Sequence, residues 1–373
     1  MKRIILFFIF IGFFSLEAFA VNTDEYYKDG LEAIGAHDLA ESLSDETKEY
    51  LEKIGIEETE YEKILDASPK AVFSLVGDLL KDGLKKPVSG AFKAIGAVML
   101  VSVCSAFFPN DEKSRSVLNL ISGCFVIITV FSSAWESVRA AVSAMEACAV
   151  FEKALIPVLA AAVTFSGNPA LALTVRGAAF TAAQFVEALA KDFAMPLVGV
   201  VGALGITGSI LPTVRLSAVS ELIRKTLLTV LSSAAALFTG FLGLKSIVSA
   251  SVDGMAAKGV KLAASTFVPV VGGAIGDAYS SVLGSLSLLR STVGIYGIAA
   301  IILTALPVII NLALWVLAMR LASTVSDLLD CRECSEILKN TAFVFSMVNA
   351  LLLLCVLVFI ITAGLTVLIK SGE

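Results

Sequence analysis

The sequence predicts an all-α, polytopic membrane protein, and three observations lead to that fold class. Of the 373 residues, 57% are hydrophobic, and the mean hydropathy of +0.89 is far above that of a soluble domain. Only 16% of the residues are charged. The apolar runs reach the roughly 20 residues that a helix needs to cross a bilayer, and they are continuous rather than alternating. We therefore expect a bundle of membrane helices.

Residues 1–20 have the pattern of a secretory signal peptide. Lys2 and Arg3 precede an apolar run, and Ala18-Phe19-Ala20 ends the segment. A basic start, an apolar centre and an A-x-A ending are typical of a cleavable signal, with an uncleaved anchor as the alternative. In either case we expect the segment that follows to be exported.

Residues 21–88 are predicted to be a short acidic, helical segment on the exported side. Residues 21–66 contain fifteen acidic residues and four lysines, a net charge of −11, whereas 67–373 contain seventeen acidic and twenty-two basic residues, a net charge of +5. Apolar periodicity predicts a helix that begins at Ser44-Asp45-Glu46 and another over 71–81. Such negative charge argues against nucleic-acid binding. The segment is interpreted as a solvated helical hairpin or as a docking surface for a partner.

Residues 89–373 are predicted to form a multi-pass helical membrane domain with about six spans. The candidate spans are Gly90–Phe108, Val117–Ala134, Ala194–Leu211, Thr226–Leu244, Val293–Met319 and Thr341–Ile369. Between the second and third spans, Ala154–Ala190 forms two shorter apolar pieces around Ser166-Gly167-Asn168-Pro169. A Gly-Asn-Pro break is typical of a turn. We expect a re-entrant or closely packed helical hairpin there.

The distribution of Lys and Arg predicts the orientation of these spans. The loops 110–116, 212–225 and 320–340 all contain basic residues and are predicted to face the cytoplasm, which leaves the C-terminus outside. The central stretch 241–298 then also lies outside although it carries several basic residues. This conflict is resolved if the stretch lies at the membrane interface or lines a wet cavity.

The central stretch 241–298 is predicted to be a broken amphipathic helix pair. Pro269 and Gly272-Gly273 separate its two helices. A ridge of small residues on the second helix, Gly276, Ser280 and Gly284, would allow another helix to approach closely. Charged residues inside membrane segments tend to line water paths or to pair with each other. The candidate residues for lining a polar path, with interfacial placement as the alternative, are Lys245, Asp253, Lys258, Lys261, Asp277 and Arg290.

The sequence offers little chemistry for catalysis, and we predict neither an enzyme nor a cofactor or metal site. There is a single histidine, His37, and the HExxH, GxSxG and Walker motifs are missing. Residues 274–277 are similar to the GxGD signature of intramembrane aspartyl proteases, but they lack its first glycine, and no convincing second aspartate is found. The pair Cys331-x-x-Cys334 is predicted to be structural, with a redox or metal role as the alternative.

Two further charged pairs are interpreted as anchors at the membrane interface rather than as catalytic groups. They are Glu152 with Lys153 and Lys191 with Asp192.

One stretch carries a family resemblance. The sequence GLKSIVSASVDGMAAKGVKLAASTFVPVVGGAIGDAYSSVLGSLSLLRSTVGIYGI resembles the signature region of the stage III sporulation protein AE family of endospore-forming Firmicutes. The signal peptide, the acidic exported segment and the later spans are similar to that family's layout over essentially the whole chain.

The resemblance implies a membrane component of an export apparatus, with no known catalytic residues. That apparatus lies in the mother-cell membrane surrounding the forespore, as a channel or feeding tube. The implied partners are other stage III sporulation membrane proteins, a forespore-side partner and a separate ATPase. The leading hypothesis is a subunit of the conduit or of its membrane platform, embedded in lipid as a homo- or hetero-oligomer. A non-conducting assembly scaffold and an independent small-molecule transporter are the alternatives.

Overall fold

The computed structural model describes residues 30–56 without 37, 69–107, 112–165, 168–188, 191–192, 195–210, parts of 221–240, and 272–368. The predicted all-α class is confirmed, since every regular element of these ranges is a helix. The helices are α1 (Asp38–Glu41), α2 (Asp45–Lys53), α3 (Pro69–Ala106), α4 (Glu112–Phe165), α5 (Pro169–Glu187), α6 (Met195–Ile210), α7 (Gly272–Leu328) and α8 (Arg332–Leu368). The predicted signal peptide and His37 lie outside the described residues.

Several helices are much longer than predicted. α4 has 54 residues and α7 has 57, which correspond to about 80 Å and about 85 Å, against a hydrocarbon core of about 30 Å. Two predicted pieces, the span Val117–Ala134 and the first limb of the Ala154–Ala190 hairpin, are therefore parts of one helix. The same holds in α7 for the second helix of the central stretch and the span Val293–Met319.

Proline explains part of this difference. Pro87, Pro157 and Pro307 lie inside α3, α4 and α7, although proline removes a helical hydrogen bond. Packed helices tolerate such residues because neighbouring side chains and local adjustments satisfy the freed carbonyl groups. The predicted boundary between residues 88 and 89 consequently falls within α3, and Pro157 and Pro307 end no helix.

Other helix ends lie at the positions predicted from the sequence. α4 ends at Phe165 and α5 begins at Pro169, with Asn168 as its N-cap residue. Ser44 caps α2, because its hydroxyl accepts a hydrogen bond from the amide of Thr47 at 3.3 Å.

α7 and α8 form the central hairpin of the bundle. They are joined at 329–331, where Asp330 has a φ of 56°. Trp315 of α7 stacks on Phe345 of α8, with 5.4 Å between ring centroids. We call the end of the bundle that contains residues 329–331 the turn end. The C-terminal part of α3 reaches it too, since Ser102 Oγ donates to the Leu329 carbonyl at 3.4 Å.

α3 runs parallel to α7, and α4 runs antiparallel to it. Along α4, Ser137 Oγ donates to Asn311 Oδ1 at 3.1 Å, whereas Cys148 contacts the carbonyl of Ile301 at 3.8 Å. α5 packs on α4 and α8, and α6 packs on α8. The loop between α3 and α4 and the turn between α7 and α8 therefore lie at the same end of the bundle.

Four of the described helical segments are long and apolar enough to cross a membrane. They are Lys70–Cys104, Trp135–Phe165, Leu289–Leu328 and Arg332–Gly364. The predicted span Ala194–Leu211 corresponds to α6, which has only 16 residues. The predicted span Thr226–Leu244 lies mostly outside the described residues. The structure thus supports a membrane protein, but the predicted number of six spans is not confirmed.

Candidate functional site

Most residues predicted to line a polar path lie beyond what the structure describes. Lys245, Asp253, Lys258 and Lys261 fall within 241–271, outside the described residues. Asp277 lies in the first turns of α7, where the structure describes the backbone alone, as do Gly276, Ser280 and Gly284. The polar path and the small-residue packing ridge therefore stay predictions.

Arg290 is the predicted site residue whose side chain the structure describes. It is 1% exposed and is among the largest fully buried side chains. Leu289 and Val293 beside it on α7 are fully buried as well. The Arg290 side chain is thus enclosed by the protein, and its predicted role in a polar path stays a prediction.

The acidic segment is attached to the bundle through its apolar face. Thr47 is buried, and its Oγ1 lies 3.2 Å from Oγ1 of Thr304 on α7. Leu51 and Ile54 are buried on the same side of the segment. The acidic residues of α2 are Asp45, Glu46, Glu49 and Glu52. They are exposed, so the segment presents an acidic surface outward.

The charge of this acidic surface acts on Tyr50. Partial burial, followed by the nearby carboxylates of Glu46 and Glu49, raises the pKa of the Tyr50 phenol. Lys53 forms an ion pair with Glu49 at 2.6 Å. Since α2 carries four acidic residues and two lysines, its outward side keeps a net negative charge. The acidic side of α2 is therefore electrostatically complementary to a positively charged surface.

A cluster of four charged side chains links α4 to the end of α5 and to Lys191, which follows α5. Lys153 lies 3.1 Å from Glu187, and Lys191 lies 3.3 Å from Glu187 and 2.9 Å from Glu146. Hydrogen bonds from Lys153 and then Lys191 lower the pKa of the Glu187 carboxyl. Lys153 and Lys191 thus form cross-helix ion pairs, and their predicted role as interfacial anchors stays a prediction.

The charged cluster borders a cavity of about 230 Å³. Apolar side chains form the rest of its wall: Val142, Met145, Ala149, Val150, Val186 and Met195. Since the charges neutralise each other in pairs, the cluster joins helices and leaves no net charge for an ionic ligand.

Cys331 and Cys334 lie together at the turn end. Their sulfur atoms are 2.7 Å apart, and both residues are buried. The amide of Cys331 donates to the Ser326 carbonyl, and the amide of Ser335 donates to the Cys331 carbonyl, both at 3.0 Å. Within the described residues no group of three or more His, Cys, Asp or Glu side chains could hold a metal ion. The backbone hydrogen bond from Cys331 to Ser326 closes the turn between α7 and α8.

One buried charged residue was missed by sequence reasoning. Glu152, interpreted together with Lys153 as an interfacial anchor, is fully buried, and its Oε1 lies 2.7 Å from Oγ1 of Thr362 on α8. Helical spacing gave the available signal, because Glu152 shares a face with Cys148 and Leu155, whereas Lys153 is turned away from both.

Large apolar side chains are exposed on α3, α4 and α7 toward the turn end. We call this surface the apolar belt; it comprises Phe92, Met99, Leu100 and Val103 on α3, Phe107 directly after α3, Val117, Ile121, Phe125 and Ile128 on α4, and Leu317, Leu321 and Leu328 on α7. A soluble monomer rarely exposes so much contiguous apolar surface, whereas a lipid-facing surface consists of it. On α4, exposed Trp135 follows the belt, with Arg139 stacked on its ring at 5.6 Å.

The fold and these surfaces define a helical membrane protein of four or more long apolar helices. The chain belongs to the stage III sporulation protein AE family, whose model matches residues 57–372. Stage III sporulation protein AE of Bacillus subtilis (strain 168) is 25% identical over 317 residues, which cover 81% of this chain and 77% of that relative. No solved structure matches the chain. Membership gives the protein a role in sporulation.

Proposed function

We propose that this protein is a membrane subunit of a sporulation-specific transport complex, in which it forms part of the conduit or its membrane platform. Three findings support the proposal: the family, the long apolar helices with their exposed apolar belt, and the acidic segment docked on the bundle. In this proposal the apolar belt contacts lipid. The acidic side of α2 binds other stage III sporulation proteins or a forespore-side partner, and a separate ATPase supplies energy.

The orientation of the bundle supports this arrangement. Lys113 and Arg115 lie in the first turn of α4, and α8 begins at Arg332, so basic residues lie on both helices at the turn end. The positive-inside rule assigns that end to the cytoplasm. The acidic segment contacts Thr304, 24 residues before Leu328 on α7, or about 36 Å along the helix. That distance exceeds the thickness of a hydrocarbon core, so the segment reaches the exported side.

The packing of the described interior favours the platform over a pore formed by one copy. Apolar side chains fill the space between α4, α7 and α8, including fully buried Phe151, Trp315 and Phe359. A conduit would then be lined by residues 241–271, or by the surfaces of several copies arranged in a ring. A non-conducting scaffold is the second candidate function, and this closed interior is the observation in its favour.

Cysteine accessibility during sporulation distinguishes the conduit from the scaffold. Single cysteines replace Lys245, Asp253, Lys261 and Asp277 in a cysteine-free chain, and a membrane-impermeant thiol reagent is applied from each side. We expect labelling along one helical face, together with loss of transport when a bulky adduct is attached. Full transport with adducts at all four positions would reject the conduit and leave the scaffold.

Two control positions make the labelling interpretable. Ala141→Cys lies in the core, where the side chain is fully buried, and should not react. Leu100→Cys lies in the apolar belt and should react only with a lipid-soluble reagent. Reaction of both controls with the impermeant reagent would show that the bundle had opened, and it would contradict the proposed placement of the belt.

A further inference from the structure

Glu152 is a carboxyl group enclosed in the helical bundle. It lies on α4 and is fully buried, as are Cys148 and Leu155 one turn before and after it. Lys153, the next residue, is turned to the surface and engages Glu187 at 3.1 Å. Glu152 therefore lies on the face of α4 that packs against the central hairpin. Lys153, on another face of α4, does not pair with it.

The hydroxyl of Thr362 is the hydrogen-bond partner of Glu152. Thr362 Oγ1 lies 2.7 Å from Glu152 Oε1 and 2.8 Å from the carbonyl oxygen of Phe359. A carbonyl oxygen only accepts, and a hydroxyl has one hydrogen to donate. Threonine in a helix commonly donates to the carbonyl three or four residues before it. The hydroxyl is within donor distance of both Glu152 Oε1 and the Phe359 carbonyl, and its one hydrogen serves one of them at a time. While that hydrogen is on Phe359, the contact to Glu152 is a hydrogen bond only if the carboxyl carries a proton and donates it to Thr362.

The surroundings of Glu152 also favour the neutral acid. Its second oxygen, Oε2, has no hydrogen-bond partner among the described residues. No Lys or Arg of the described chain lies within ion-pair distance of this carboxyl, and no charged group among them acts on it. A carboxylate in such a place would be an uncompensated charge between apolar side chains. The acid form avoids that cost.

Three other buried titratable side chains, on α4, α7 and α8, are thiols or a phenol, which do not carry positive charge. Cys148 on α4 and Cys355 on α8 are buried thiols, and Tyr296 on α7 is a buried phenol. Neither a thiol nor a phenol in its neutral form offers the positive charge that a carboxylate would require.

The charged groups on the helices that pack against α4 lie away from Glu152. On α7, Arg290 precedes Gly297, which packs on Leu155, by about 10 Å along the helix. On α8, the last charged residue before Thr362 is Lys339, about 35 Å away along the helix. Glu187 on α5 is engaged at the surface by lysines, the charged residues of α3 are exposed, and α6 contains no charged residue. None of these groups supplies a counter-ion.

We propose that Glu152 and Thr362 form a proton-binding site between α4 and α8, occupied by a proton at neutral pH. The site couples proton binding to helix packing, because release of the proton would leave a charge between the two helices. A metal ion would need more oxygen ligands than this carboxyl and hydroxyl provide. The inference is independent of the proposed function, since it rests on the geometry of this pair alone.

Infrared spectroscopy of the purified full-length protein tests the proposal. A protonated carboxyl has a C=O stretching band that is separate from the carboxylate bands and shifts in D₂O. We expect this band at neutral pH in the wild-type protein and in Glu146→Gln, which changes an exposed carboxylate that pairs with Lys191. The band should be lost in Glu152→Gln. Identical wild-type and Glu152→Gln spectra in this region would overturn the proposal.

Two further readouts test the site. Thr362→Val removes the hydroxyl and should shift the band without removing it; an unchanged band position would show that Thr362 is not the partner of the acid. Glu152→Gln keeps a neutral side chain of similar shape, so its Tm should stay close to that of the wild-type protein. A large fall in Tm for Glu152→Gln, together with absence of the band in the wild-type protein, would show that the fold requires a carboxylate.

Discussion

Replacing Gly90 with alanine tests how closely α3 packs against α7. A methyl group at residue 90 would lie 2.6 Å from two ring carbons of Trp315, about 1 Å nearer than an optimal carbon–carbon contact. The ring is fully buried and stacked on Phe345, so it has little room to move. Overpacking of this kind costs about 1–3 kcal/mol, and the higher helix propensity of alanine offsets about 1 kcal/mol. We expect a net loss of up to about 2 kcal/mol, and a difference of about 1–3 kcal/mol from an alanine variant that gains the helix propensity alone.

Tryptophan fluorescence during urea unfolding in detergent measures this loss. The chain has two tryptophans, so a Trp135→Phe background leaves Trp315 as the reporter. Gly96→Ala is the matched control on the same helix, because a methyl group there meets nothing within 4 Å. The control should be unchanged or slightly more stable. Equal stability of Gly90→Ala and Gly96→Ala would refute the close approach of α3 to Trp315.

Three further predictions concern the segment, the charged cluster and the turn end. Ser44→Ala removes the cap that binds the Thr47 amide and should cost about 1 kcal/mol, seen as faster amide exchange over α2; unchanged exchange would contradict the cap. Glu187 has a lowered pKa because Lys153 and Lys191 bind it, so its contribution to stability is present above the unfolded pKa and is lost as the pH falls through the folded one. The free energies of unfolding of the wild-type protein and Glu187→Gln, measured from melting curves, should therefore differ by less than about 1 kcal/mol at neutral pH and become equal below about pH 4. A difference in stability that increased as the pH fell would contradict this ion pair. Asp330 has a φ of 56°, so Asp330→Gly should raise stability by up to about 1 kcal/mol and Asp330→Ala should not, as thermal unfolding can show.

Local signals in the sequence located several helix ends correctly. Ser44 is followed by acidic residues and caps α2, and Asn168-Pro169 begins α5. These ends were predictable because capping and proline geometry depend on residues within one turn of each other. The continuity of α4 through residues 134–154 was not predictable in the same way, since the charged residues there resemble an interruption between two membrane segments.

The apolar composition and its long runs determined by themselves that this chain is a helical membrane protein, because a bilayer accepts only backbone groups that are bonded internally. The resemblance over 243–298 identified the family. Only the tertiary structure decided which charged residues are enclosed and which are exposed. Glu152 and Lys153 are adjacent in sequence, yet one binds Thr362 inside the bundle and the other binds Glu187 at its surface. Adjacent helical residues point in directions about 100° apart, so their environments depend on which helices pack against each face, and distant parts of the chain supply those helices.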